Sequence, residues 1–350
     1  MSDAATPQKI NLWKMLIPLS IGIGASVYLI TKMNLAALQA VSVSQQLVIG
    51  LVVGALTVIA RDAAFMYKLR LSAGKHMTWK KTFQTITMWE FCACVTPKIS
   101  EAPLVIFVLK HSGLSYGKSV AVLMLNAFFD NMAFVVVWSI LYLILGSNML
   151  LFTYTCPDIA DSTVLQTVRS FGSYAWIGYC VLLGACIFLG TALFVIPHGT
   201  KKFFHRLAKF TWLKRFEKGI AELGDEIELT AHEFKGKPLG FWVKMSIATF
   251  INWIMRYLLA VSLLYAFAVT DFSFLLALSR QYVLWIFTGV PTTPGATGVA
   301  EFSFIALNCE FTAPGLSAAV ALVWRLYSYY LYIALGLIIL PKWAKQLASR

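Results

Sequence analysis

Charged side chains lie inside several long apolar segments of this sequence. Ionisable groups near the centre of a bilayer are costly, and they usually face a cavity or one another. Glu101 and Glu301 each lie beside a break in an apolar segment, and we interpret them as functional. We interpret Arg61 and Asp62, near the end of an apolar run, as an internal ion pair. The full set of candidates is Glu90, Glu101, Asp130, Glu301, Arg61, Asp62, Arg256, Arg280 and Arg325.

The stretch 290–301 has the composition of a site for an anion. It contains two prolines and two glycines within an apolar segment, and it ends at Glu301. Such residues break a helix, and broken backbone is tolerated in a membrane only where it is buried in protein or lines a wet cavity. A helix that begins after the break presents free N–H groups to an anion. Gly295, Thr297 and Gly298 would let a phosphate group approach this backbone closely.

Arginines elsewhere in the apolar segments could complete such a site. Arg256, Arg280 and Arg325 can each offer two parallel hydrogen bonds to one phosphate. Glu301 would suit a cationic or hydroxyl-bearing part of a head group, or it could carry a coupling proton. The predicted substrate-binding residues are Glu301, Thr297, Gly298, Gly295, Arg325, Arg280, Arg256, Glu101, Ser100 and Asp130.

The composition is that of an integral membrane protein. Of 350 residues, 59% are hydrophobic and 13% are charged, with a mean hydropathy of +0.73, whereas soluble domains carry about a quarter charged residues. The net charge of +13 is explained by loops that face an anionic cytoplasmic leaflet. We expect no nucleic-acid partner, because no basic stretch belongs to a soluble folded module.

Metal and cofactor chemistry have little support in the sequence. Cys92 and Cys94 lie in an apolar helix with no histidine nearby in sequence, so we expect no metal site there and no cofactor. Cys156 and Cys309 are both predicted to face outward, and we leave open whether they pair.

The apolar runs predict about six spanning helices of roughly 20 residues each. Basic residues follow the second run and fill 201–218, so these loops and both termini are predicted to be cytoplasmic. The segment 198–238 is basic and then acidic, and it is interpreted as an amphipathic segment on the lipid surface or, alternatively, as a regulatory or partner site. The predicted spans are 12–30, 45–70, 120–145, 173–196, 239–267 and 316–340.

Two further apolar segments, 82–110 and 272–311, are interrupted at matching places. Each has a Thr-Pro step at its tip and a glutamate shortly after, Glu101 in one and Glu301 in the other. The topology predicts re-entrant hairpins that enter from opposite faces. Paired interruptions of this kind are typical of inverted-repeat transporters with a midplane site. The predicted fold is an all-α polytopic membrane protein, with inverted repeats in the halves 12–146 and 239–340.

The residues from Pro291 to Glu301 resemble the P-x-x-P-G-G-x-G-x-x-E signature of the flippase-like family, the lysylphosphatidylglycerol synthase transmembrane region. Arg325 with Tyr329 and Tyr330 resembles the family's arginine–aromatic stretch. In the first half, Pro97 to Glu101 and then Gly113-Leu114-Ser115 resemble its proline turn, Gly-Glu and Gly-Leu-Ser. The resemblance covers about Leu47 to Leu340. Two positions depart from it: Ala296 replaces the second glycine, and Ser100 replaces the glycine before the glutamate.

The resemblance implies transport of a lipid across the membrane. In bifunctional members this region is thought to flip an aminoacylated phospholipid that a separate cytosolic domain makes. We expect no such domain in this chain, which ends at Arg350, and hence no enzymatic activity.

We therefore predict a protein of the cytoplasmic membrane that binds or moves an anionic phospholipid or lipid-linked head group, with membrane lipids as partners. A homo-oligomer and a separate synthase partner are left open. The alternatives are an ion-coupled transporter of a small soluble anion, an intramembrane lipid-modifying enzyme with Glu101 or Glu301 as general base, and a non-transporting scaffold.

Overall fold

The computed structural model describes residues 41–74, 77–146, 171–196, 198–199, 201–202, 206, 217–268, 272–289 and 293–348, together with Gly24, Thr31 and Gln39. The predicted helix 12–30 (apart from Gly24), the predicted external segment 147–170 with Cys156, and the first residues of the broken turn, 290–292, lie outside the described residues.

The described chain is helical. Its β-type pairing is limited to one isolated antiparallel bridge between Ala268 and Thr312. Two π-helical turns, Thr191–Val195 and Leu326–Tyr330, and two 3-10 turns, Pro294–Ala296 and Cys309–Phe311, connect or extend the helices. The helices are α1 Gln45–Ala73, α2 Trp79–Val95, α3 Lys98–His111, α4 Tyr116–Leu145, α5 Phe171–Gly190, α6 Glu217–Lys235, α7 Leu239–Ala266, α8 Phe274–Gly289, α9 Val299–Asn308, α10 Ser317–Arg325 and α11 Leu331–Ala348.

Five helical stretches among the described residues are long and apolar enough to cross a membrane. They match the predicted spans to within a few residues, except that the last runs beyond residue 340. The prediction of an all-α membrane protein is confirmed to this extent. The five stretches are Gln45–Ala73, Tyr116–Leu145, Ser173–Val195, Leu239–Ala266 and Ser317–Trp343.

Side-chain caps define the starts of three helices. Ser44 accepts a hydrogen bond from the backbone N–H of Leu47 at the start of α1. Thr78 and Ser115 do the same for α2 and α4. Each cap satisfies a backbone donor that the first helical turn leaves free, so the chain enters these helices at defined residues.

The antiparallel pair α1 and α7 forms the most extensive contact between described helices. Gly50 lies against Ala266, and Gly54 lies against Ser262. Small residues let two helix backbones approach closely in a membrane. This approach also brings the later part of α1, with Arg61, towards the middle of α7.

The two predicted hairpins are broken as the sequence indicates. Thr96 and Pro97 separate α2 from α3, which have 17 and 14 residues. The described part of the second break, residues 293–298, lies between α8 and α9, which have 16 and 10 residues. Each of these helices is shorter than the roughly 20 residues that span a bilayer.

The amphipathic helix α6 packs on the protein at its C-terminal end. Ala231 and Phe234 are buried there, and Phe234 stacks on Phe241 of α7. Glu233 pairs with Lys118 of α4 at 3.4 Å. This end of the segment 198–238 therefore contacts α4 and α7.

A second set of ion pairs fixes the start of the same segment. His198 contacts Glu228 at 2.9 Å, and Lys201 contacts it at 3.1 Å. These hydrogen bonds, that of His198 above all, lower the pKa of Glu228 below its usual value.

The close approach of α1 and α7 can be tested by adding one methyl group. A Cβ atom at Gly50 would lie 2.5 Å from Ala266 Cβ and 2.6 Å from the Ser262 carbonyl oxygen, so the helices must separate. We expect Gly50→Ala to lower the free energy of unfolding by about 1–3 kcal/mol, measured as thermal unfolding in detergent.

Gly184→Ala is the matched control, because Gly184 is also helical but has nothing within 4 Å of its added Cβ. It should leave the unfolding temperature unchanged or raise it, since alanine is the better helix former. Equal behaviour of the two variants would contradict the described packing of α1 on α7.

Candidate functional site

A cavity of about 150 Å³ lies where both breaks meet the α1–α7 pair. Helices α1, α2, α3, α7, α8, α9 and α10 all contribute to its wall. Apolar and aromatic side chains, including Trp285 and Trp324, form much of the lining. Among the described residues, its charged lining consists of four cations and one carboxylate, namely Arg61, Lys98, Arg256, Arg325 and Glu90.

The tips of the two breaks touch at this cavity. The backbone N–H of Gly295 lies 3.4 Å from the carbonyl oxygen of Thr96. Gly295 has a φ of 57°, and a Cβ atom there would overlap the Tyr329 ring and lie 2.9 Å from the carbonyl oxygen of Cys94. Glycine is therefore required at this position both by conformation and by space.

Glu301 and Arg325 form the buried ion pair at the second tip. Arg325 Nε donates to Glu301 Oε1 at 2.6 Å, and the two side chains are only 7% and 4% exposed. The other carboxylate oxygen accepts the backbone N–H of Gly298 at 2.7 Å, which caps the start of α9. Arg325 Nη2 also donates to the carbonyl oxygen of Gly295 at 3.1 Å.

These bonds give Glu301 a positioning role in this structure. Both of its oxygens are engaged, and it is absent from the cavity wall. Thr297 likewise serves the turn, because its hydroxyl donates to the carbonyl oxygen of Pro294 at 2.8 Å. Arg325 lines the cavity, together with Gly295 and Ala296 of the turn and Ala300 of α9.

The helix that carries Arg325 changes geometry directly after it. The π turn Leu326–Tyr330 follows, and Ser328 and Tyr329 line the cavity beside Arg325. The Arg325 guanidinium lies 4.9 Å from the centre of the Tyr329 ring. Single π turns of this kind are frequent at functional sites, and this one keeps an aromatic face against the cation.

A second charge cluster is centred on Glu90 of the cavity wall. Arg256 Nη2 donates to Glu90 Oε1 at 2.5 Å. Arg61 lies 3.7 Å from the same oxygen and pairs with its neighbour Asp62 at 2.6 Å. Tyr332 completes the cluster, because its hydroxyl donates to Asp62 at 2.9 Å. The predicted pairing of Arg61 with Asp62 is therefore present, but Arg61 also lines the cavity.

The first tip does not mirror the second in its contacts. Glu101 pairs with Lys98, three residues earlier in the same helix, at 2.7 Å, whereas Glu301 pairs with a residue of another helix. Ser100 is exposed, and its hydroxyl donates to the carbonyl oxygen of Pro97. It is Lys98 that reaches the cavity wall.

The structure separates two predicted site residues from the cavity. Arg280 pairs with Glu310 at 2.9 Å, because it lies off the face of α8 that presents Gln281, Leu284, Trp285 and Thr288 to the cavity. Asp130 of α4 accepts from buried Lys68 at 2.5 Å and from Trp253 at 2.6 Å. Arg280 and Asp130 therefore form ion pairs outside this cavity.

Comparison with known proteins identifies the family of this chain. The sequence pattern of the lysylphosphatidylglycerol synthase TM region matches residues 15–336. The chain belongs to this family. It is also similar to a UPF0104 membrane protein of Archaeoglobus fulgidus, with 23% identity over 257 residues, or 71% of each chain. No solved structure matches.

Membership in the family bears on the turn residue Ala296. The family signature has glycine there, and Ala296 has a φ of 55°, a left-handed conformation that costs a residue with a Cβ atom about 1–2 kcal/mol. The turn thus keeps the conformation for which the signature glycine is suited.

Several cavity residues, among them Lys98, Tyr257, Arg61 and Glu90, are absent from the predicted binding residues. Lys98 and Tyr257 were not singled out, and Arg61 and Glu90 were only among the ionisable candidates. An ionisable residue in an apolar segment, or next to a proline break, indicates a candidate site residue. It does not show which face of the helix the residue occupies.

The buried pair Glu301–Arg325 predicts a coupled effect on stability. Glu301→Ala leaves a buried guanidinium without its carboxylate, so we expect a loss of about 3–5 kcal/mol in the free energy of unfolding. The double variant Glu301→Ala, Arg325→Met should recover most of this loss, because it removes both charges. The measurement is a double-mutant cycle by chemical unfolding in detergent.

Glu233→Ala is the control, since Glu233 is 46% exposed in its pair with Lys118 and should cost about 1 kcal/mol or less. Additive effects of the two substitutions at Glu301 and Arg325 would contradict their described contact.

The contact between the tips can be tested at Gly295. Gly295→Ala should push the second tip away from Cys94 and Thr96 and so expose the Cys94 thiol. Gly298→Ala is the control, because Gly298 also has positive φ, 89°, but has nothing within 4 Å of an added Cβ.

The measurement is the rate of N-ethylmaleimide alkylation at Cys94, resolved by peptide mass spectrometry. We expect at least about tenfold faster alkylation in Gly295→Ala only, as local opening becomes easier. Similar acceleration in both variants would show that backbone strain, and not the tip contact, controls access.

Proposed function

We propose that this protein binds the anionic head group of a phospholipid or lipid-linked substrate and moves it between membrane leaflets. The observation that supports this most is the cavity between the two tips, whose charged lining comprises four cations and one carboxylate. Arginine forks are suited to the oxygens of a phosphate group.

The size and surroundings of the cavity favour a head group over a whole lipid. Its volume of about 150 Å³ is below the roughly 300–1,000 Å³ of pockets that enclose drug-sized ligands. Apolar side chains such as Leu56 and Ile59 of α1 and Ile187 of α5 are exposed on the outside of the bundle. In this proposal the acyl chains stay against such surfaces while the head group enters the cavity.

We further propose that the segments α2–α3 and α8–α9 are re-entrant hairpins from opposite faces, related as inverted repeats. Their helices are short, their breaks meet, and each break is followed by a glutamate in the first turn of the next helix. Opposed broken helices of this kind put a transporter's site near the midplane.

We propose a cytoplasmic membrane location with both termini cytoplasmic. Basic residues concentrate near the base of the first hairpin, at Lys80 and Lys81, and in 201–218. Cys309, at the base of the second hairpin, is disulfide-bonded, and the other cysteines that the structure describes are free. Disulfides persist in oxidising compartments, which supports an external position for this end.

A small soluble oxyanion is the second candidate substrate. The limited cavity volume supports it, because an oxyanion alone would fit without any lipid tail. Both candidates use the same arginine chemistry, and we propose binding and transport, not catalysis, for either.

Transport in proteoliposomes tests the proposal. We expect wild-type protein to accelerate leaflet exchange of NBD-labelled phosphatidylglycerol, read by dithionite quenching, but not of NBD-labelled phosphatidylcholine. Arg256→Gln should reduce the rate by about tenfold to a hundredfold, because a charge-assisted hydrogen bond to the phosphate is lost.

Arg280→Gln is the matched control, since it changes a buried arginine that lies outside the cavity. Flux of radiolabelled sulfate without lipid exchange would favour the soluble-anion candidate. Neither flux, or equal loss in the two variants, would contradict the proposed site.

A further inference from the structure

Among the described residues, Glu90 is the one carboxylate on the cavity wall, and its position is unusual. Its side chain is 8% exposed, and its Oε1 atom contacts Arg256 at 2.5 Å and Arg61 at 3.7 Å. It therefore lies between two guanidinium groups inside a cavity whose other charged lining residues are cations. An arginine pair of this kind is the arrangement that also binds an oxyanion.

The other cavity cations do not depend on Glu90. Lys98 pairs with Glu101, and Arg325 pairs with Glu301. Arg61 has Asp62 as its nearer partner at 2.6 Å. The carboxylates of these three pairs are absent from the cavity wall, so each cation keeps its partner when the contents of the cavity change. Among the described ion pairs, Arg256 has Glu90 alone.

The hydrogen-bonding capacity around Glu90 is only partly used. Arg256 gives one nitrogen to Glu90, while its buried Nε has no protein acceptor. The hydroxyl of Tyr257, a cavity residue that is 5% exposed, also has no protein acceptor. Buried donors without acceptors are costly. Arg256 and Tyr257 therefore carry more donors than the carboxylate of Glu90 satisfies in this structure.

We propose that Glu90 is a built-in competitor for the anion site, and that an entering anion displaces its carboxylate from Arg256 and Arg61 as Glu90 takes up one proton. The inference rests on the proposed function, because it concerns the same cavity. The step balances: the carboxylate and one solvent proton become a neutral carboxylic acid, and the negative charge of the bound anion replaces that of Glu90.

The groups around Glu90 leave it as the acid that is free to change partners. Asp62 is held by Arg61 and by the Tyr332 hydroxyl, so its protonation would break several bonds. A neutral Glu90 keeps the shape of the wall and removes its repulsion of an anion. The titratable and charged groups that face this cluster are Arg61 and Asp62 of α1, Cys94 of α2, Lys98 of α3, Arg256 and Tyr257 of α7, Arg325 of α10 and Tyr332 of α11.

If Glu90 takes up a proton when the anion binds, the anion affinity of the wild-type protein must depend on pH. Anion binding should tighten as pH falls, by up to about tenfold per pH unit, because one proton binds together with the anion. By the same linkage an anion that moves through the site would carry a proton with it. A carboxylate that only holds helices together would produce neither effect.

The experiment is calorimetric binding to the purified full-length chain in non-ionic detergent. The probes are sulfate and short-chain phosphatidylglycerol, whose charges stay constant between about pH 5 and pH 8. Titration in buffers with different ionisation enthalpies yields the number of protons taken up. We expect about one proton for wild type and none for Glu90→Gln, which should also bind about tenfold more tightly near neutral pH.

Glu310→Gln is the matched control, because Glu310 is also a partner of a buried arginine, Arg280, but lies outside the cavity. It should keep wild-type affinity and proton uptake. If Glu90→Gln does not fold, the wild-type proton count and pH dependence still decide the question.

The outcomes separate this inference from the proposed function. Anion binding by wild type with no proton uptake, or with equal uptake in Glu90→Gln, overturns the role of Glu90 and leaves the cavity as the anion site. No binding of either probe to wild type or Glu90→Gln overturns both. Proton-linked binding of sulfate but not of the lipid supports the role of Glu90 and overturns the lipid as substrate.

Discussion

The architecture around the cavity depends on one buried ion pair, that of Arg325 with Glu301. Arg325 holds the carboxylate that caps α9 and also binds the carbonyl oxygen of Gly295. Gly295 in turn meets the first tip at Thr96. Because a buried charge without its partner is strongly destabilising, the pair ties the second tip to α10, and through the tip to α2.

Charge balance then explains how several cations can line one cavity. Each cation on the wall is matched by a carboxylate, but three of these carboxylates are turned away from the cavity. Among the described residues, the wall therefore carries more cations than carboxylates although its ion pairs are balanced. Such an arrangement holds donors ready without leaving an uncompensated charge in a low-dielectric region.

Glu90 differs from the other acids because it faces inward. The small residues Gly50 and Gly54 let α1 pack closely on α7, and Arg61 of α1 and Arg256 of α7 both approach the same Glu90 oxygen. In our proposal the arginine pair couples two ligands, because the anion and the Glu90 carboxylate compete for the same two guanidinium groups.

The sequence by itself determined the class of protein, the limits of the spanning helices that the structure describes, and the residues at which both broken segments are interrupted. It did so because apolar length and proline or glycine breaks are local properties. It also indicated Arg325, Glu301, Gly295 and Arg256 as site residues. Only the tertiary structure decided that Glu301 is engaged within the turn, that Lys98 and not Glu101 reaches the cavity, and that Arg280 and Asp130 lie elsewhere. Which face of a helix meets the cavity depends on how distant helices pack, and no local pattern specifies that.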